Sequence, residues 1–99
     1  MSSRFGRQIE CLARLETMNP GIHDAMLEFL KEESLMTKGD CRAIISGSEV
    51  SKALHTYLVQ LAASGKLQLL TYEWNILPVE LIKITLITDR AQKEFTYGY

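Results

Sequence analysis

The apolar period of this chain changes once, at Gly65, and that change limits what the chain can fold into. Before Gly65, apolar residues recur three and four positions apart, as on helices packed by one face. After it, "KLQLLTYEWN" and "VELIKITLIT" carry the β-branched and aromatic residues of strands. A helical block followed by a hairpin predicts an α+β domain, mostly helical. The 99 residues are enough for one hydrophobic core and too few for two ordinary domains, so residues 1–99 are expected to form a single domain.

Turn residues divide the helical block. Phe5, Ile9, Leu12, Leu15 and Met18, with Cys11 alongside, predict a first helix within residues 1–18, capped by Ser2 or Ser3. In "MNPGIHDAMLEFLKEES", Asn19 is placed to cap a second helix and Pro20 to begin it, with Ile22, Ala25, Met26, Phe29 and Leu30 on the buried stripe. Thr37 followed by Asp40 has the pattern of a capping box and predicts a short helix from Lys38 to about Ile45, which Gly47 ends. "SEVSKALHTYLVQLAASG" predicts a helix from about Glu49 to Ser64, with Leu54, Leu58 and Leu61 facing inward and Gly65 at its end. Asn75 and Pro78 mark the hairpin turn. Thr88 or Asp89 is expected to cap a short final helix, "DRAQKEF", before the aromatic tail "FTYGY".

Composition narrows the functional classes. With 46% hydrophobic and 23% charged residues the chain is globular, its apolar runs are too short for a membrane helix, and "MSSRFGRQIE" lacks the apolar core of a signal peptide. A cytoplasmic protein with no membrane partner is expected. Cys11 and Cys41 form no CxxC pair and have no histidine cluster beside them, which predicts reduced, buried thiols and neither metal nor cofactor. His23 and His55 have no Ser, Cys or carboxylate at a relay spacing, so no catalytic residue is assigned and the chain is expected not to be an enzyme. The net charge of -1 supplies no global attraction to nucleic acid, so any such binding depends on where the charges lie.

The order helix, helix, short helix, tight turn, long helix and hairpin resembles the winged helix-turn-helix of DNA-binding transcription regulators over residues 22–95. "ALHTYLVQLAASGKL" looks like that family's recognition helix and "ITLITDRAQKEF" like the strand, threonine and short helix that follow its wing. The join "ISGSEVS" is longer than the family's usual one, and Ala91 stands where glycine is common. The resemblance implies a winged helix with a two-stranded antiparallel wing, acting as a homodimer on duplex DNA to regulate transcription. It puts dimer contacts on the first helix, where Arg4, Arg7 and Arg14 form a basic group.

Placed on that recognition helix, Lys52, His55 and Thr56 are the candidates for base contact, and Lys38, Arg42 and Ser48 for phosphate contact. Glu49 opposes them. The hairpin tip points elsewhere: Trp74, Ile76 and Leu77 sit beside two glutamates, and no basic residue occurs between Lys66 and Lys83. Such a tip suits an interface with another protein and defines the alternative, a winged-helix module that binds protein without DNA.

Overall fold

The computed structural model describes residues 4–98. Helices α1 (Arg4–Met18), α2 (Ile22–Glu32), α3 (Lys38–Ile45) and α4 (Val50–Ala63) precede strands β1 (Leu69–Asn75), β2 (Leu81–Ile87) and β3 (Gln92–Tyr97). The domain is therefore α+β and about half helical. Its sheet is an antiparallel meander in the order β1-β2-β3, three strands where two were expected.

The third strand replaces the expected final helix. Thr88 does cap: its hydroxyl oxygen accepts the amides of Arg90 at 3.2 Å and Ala91 at 2.9 Å, while its own amide donates to the Ala91 carbonyl at 2.8 Å. That chemistry serves a tight turn as well as it serves a helix start. The chain leaves the turn extended, Phe95 pairs with Ile84, and Phe95 and Tyr97 fall on the core side by strand alternation. Part of the supposed tail is thus core, since Phe95 is only 2% exposed.

The start of α2 is also corrected. It begins at Ile22 behind Gly21, which takes the left-handed φ of 96°, and no side chain of its own caps it. Glu16, from the last turn of α1, does so instead: its carboxylate accepts the amides of Gly21 and His23, both at 2.8 Å. Asn19 turns away and donates to the Thr96 carbonyl at 3.0 Å. The expected box at α3 is present, with the Thr37 hydroxyl accepting the Asp40 amide at 3.0 Å and the Asp40 carboxylate accepting the Thr37 amide at 3.3 Å.

The core lies between the helices and one face of the sheet. β2 is the central strand, and its Ile82, Ile84 and Leu86 are fully buried against Leu12 and Leu15 of α1, Met26 and Leu30 of α2, and Leu54 and Leu58 of α4. α1 crosses the sheet, touching all three strands as well as α2 and α4. Leu70, Tyr72 and Trp74 of β1 are half-buried beneath the helices, and Leu69, Thr71 and Glu73 on its other face are exposed. Cys11 and Cys41 are buried and unpaired, and burial pushes the Cys11 thiol up to about 11.

Candidate functional site

The outer face of α4 and the turn before it gather three of the six residues assigned to DNA. Ser48, Lys52 and Thr56 line one shallow concavity of about 480 Å³, together with Glu49 and Tyr57. Ser48 and Lys52 are exposed and Thr56 is partly so. Lys38 and Arg42 are exposed on α3, four positions apart and therefore on one side of that helix. Lys52 reaches Glu49 at 4.0 Å, with both side chains largely in water, so this pair contributes little and leaves the ammonium available.

Tyr57 fixes the geometry of the two helices. Its hydroxyl donates to the Leu35 carbonyl at 2.6 Å and approaches the Asp40 carboxylate at 3.3 Å, tying the middle of α4 to the start of α3. Burial, and then the neighbouring Asp40 charge, raise the phenol above its ordinary range. The same Asp40 is held below the usual carboxylate range, first by its hydrogen bonds with Thr37. The seating of α4 against α3 is thus set by the Tyr57 hydroxyl at the edge of that concavity.

His55 does not belong to that surface. It is fully buried, with Nδ1 2.6 Å from the Tyr72 hydroxyl and its ring edge-on to Phe5 at 4.5 Å. The reason is angular: His55 directly follows the inward Leu54 and falls on the flank of α4 that meets α1 and β1. Among the described residues its Nε2 has no hydrogen-bond partner. Desolvation holds the imidazole below its ordinary value, which keeps it neutral.

Folding also assembles a group that spacing in the sequence conceals. His23 Nε2 lies 3.4 Å from Ser51 Oγ and 3.3 Å from the Leu12 carbonyl, while Nδ1 is 3.7 Å from Glu16. A carbonyl only accepts, so Nε2 is a donor there and is not positioned to deprotonate Ser51. Glu16 meanwhile holds the two amides at the start of α2. The group acts as a polar tie between α1, α2 and α4. Among the described residues no cluster of three or more His, Cys, Asp or Glu is placed to hold a metal ion, and no helix is long and apolar enough to cross a membrane.

The hairpin tip separates into two parts. Ile76, Leu77 and Val79 are 61%, 83% and 51% exposed and form an apolar loop. Trp74 is half-buried instead, its indole N–H donating to Glu80 at 3.3 Å and the Arg7 guanidinium standing 5.9 Å from the ring centroid. Arg14 clasps the same Glu80 through two hydrogen bonds of 3.0 and 3.1 Å, and that bonding is the main cause of a Glu80 pKa below the usual range. Glu73 pairs with Lys83 across the strands at 3.1 Å. Both glutamates that made the tip look acidic are therefore neutralised, and Trp74 is as much a part of the monomer as of any interface.

No family model, no curated protein and no solved structure matches this chain at a significant level, so the functional reading rests on its own residues.

Proposed function

We propose that this chain is a small transcriptional regulator of the winged helix-turn-helix kind, binding duplex DNA as a homodimer through α3, the turn and α4. The observation that carries the reading is the convergence of Ser48, Lys52 and Thr56 on one outward-facing concavity, beside the exposed Lys38 and Arg42 of α3. A lysine and a threonine one turn apart on a helix match the donors and acceptors of a major groove, and Ser48 with the flanking cations suits phosphates. His55 takes no part because it is buried. The test is selection of bound duplexes from a random pool, with affinity measured against salt. Salt-dependent binding that weakens in Lys52→Ala supports the reading; absence of salt-dependent binding to any selected duplex ends it.

A second reading is favoured by the tip alone. Ile76, Leu77 and Val79 project as an uncharged apolar loop, a surface suited to contact with a protein rather than with phosphates. In this reading the domain binds protein and no DNA, and the random pool returns nothing while a partner or a second copy covers the loop.

A further inference from the structure

A cleft of about 430 Å³ runs between the first turns of α1 and β1, on a different part of the molecule from the concavity on α4. Arg4, Arg7 and Gln8 form one wall, and Thr71, Tyr72 and Trp74 the other. Among the described residues no carboxylate lines it, Glu80 reaching only the indole N–H of Trp74, and neither arginine has an ion-pair partner. The first turn of α1 holds no acidic residue, so two guanidiniums stand where the helix's own amides are already electropositive, an arrangement that disfavours cations and that a bound anion would relieve. Arg7 is aimed rather than free, because its guanidinium is held over the Trp74 indole.

We propose that this cleft binds a nucleoside monophosphate. Two guanidiniums one helical turn apart match the charge and the oxygen geometry of a phosphate dianion, which an arginine fork holds through paired hydrogen bonds. The Tyr72 ring, beside the indole that Arg7 covers, gives aromatic surface on which a planar base stacks, and the Gln8 amide supplies a donor and an acceptor for its edge or for the ribose. The volume lies within the range of small-ligand clefts. Cys11 also lines the cleft, but its raised pKa keeps it a thiol, so the site binds and does not attack. The proposal does not depend on what α4 contacts.

Trp74 is the one tryptophan of the chain and reports directly on the cleft. Adenosine 5′-monophosphate, titrated into the full chain, is expected to shift the Trp74 indole N–H resonance and change its emission in a saturable way. Adenosine and inorganic phosphate, each carrying half of the recognised chemistry, bind at least about tenfold more weakly. Arg4→Gln with Arg7→Gln lowers the affinity at least about tenfold while leaving the unfolding midpoint unchanged, since both side chains are exposed. No saturable response up to millimolar nucleotide overturns the proposal. So does equal binding of free phosphate, or binding that survives loss of both arginines. If the double variant unfolds, Arg7→Lys, which keeps the charge and loses the fork, replaces it and is expected to weaken binding.

Discussion

The Tyr72 hydroxyl and His55 Nδ1 stand 2.6 Å apart in the seam where β1 meets α4. Burial pushes the Tyr72 phenol up and the His55 imidazole down, so both groups stay neutral through the physiological range. The pair joins a wall of the α1–β1 cleft to the helix that carries Lys52.

Its pH dependence follows from the direction of the histidine shift. An unfolded chain protonates His55 near the ordinary value of 6.5, whereas the folded chain resists until lower pH. The contribution to stability is therefore complete above that value and declines as the pH falls from it toward the folded value. Urea midpoints measured at about pH 7.5 and about pH 5.5 should separate more in the parent chain than in His55→Gln, and equal separations would contradict this account.

Lys52→Ala should weaken binding to a selected duplex by roughly tenfold, as loss of a base contact does, with little change in the salt slope and the unfolding midpoint unchanged. Filter binding across a salt series checks both quantities. A slope lowered by about one would move Lys52 off the base edges and onto a phosphate.

Thr37→Ala removes one half of the capping box at α3. It should cost about 1 kcal/mol and lower the melting temperature by about 4–8 °C, a change calorimetry resolves easily. Because α3 carries Lys38 and Arg42, frayed helix would also lower DNA affinity.

The two parts of the hairpin tip should behave oppositely. Ile76→Ser, Leu77→Ser and Val79→Ser together remove exposed apolar surface and should leave thermal stability within about 0.5 kcal/mol while abolishing any self-association seen by light scattering. Trp74→Ala removes half-buried packing and the bond to Glu80 and should cost about 2 kcal/mol in the monomer. A stable Trp74→Ala chain that no longer associates would restore Trp74 to the interface.

Where a local signal also served the distant packing, the sequence could be read directly. The Thr37 and Asp40 box, the inward Leu54, Leu58 and Leu61, and the change of period at Gly65 are such cases. Thr88 shows the opposite: a capping residue specifies that backbone amides will be satisfied, and only the pairing of Phe95 beside Ile84 decides whether a strand or a helix follows. His55 is buried, against the expectation from spacing, because the buried stripe of α4 is wider than its leucines, α1 and β1 both leaning on that flank. The contacts of Arg14 with Glu80, and of Glu16 with the start of α2, join positions that no periodicity relates. Lys52 and Thr56 are legible together because one face of α4 orders them, with Ser48 in the turn before it, whereas the α1–β1 cleft joins elements far apart in the chain.

The clasp of Arg14 and Trp74 on Glu80 fixes the foot of the hairpin from below, and the Asn75 to Leu81 pairing closes it from above. The stretch 76–79, between Asn75 and the clasped Glu80, is exposed and carries none of the weight of the sheet. It is therefore the place where this domain would accept a grafted peptide, a longer insertion or a fluorescent label without disturbing strand register or core.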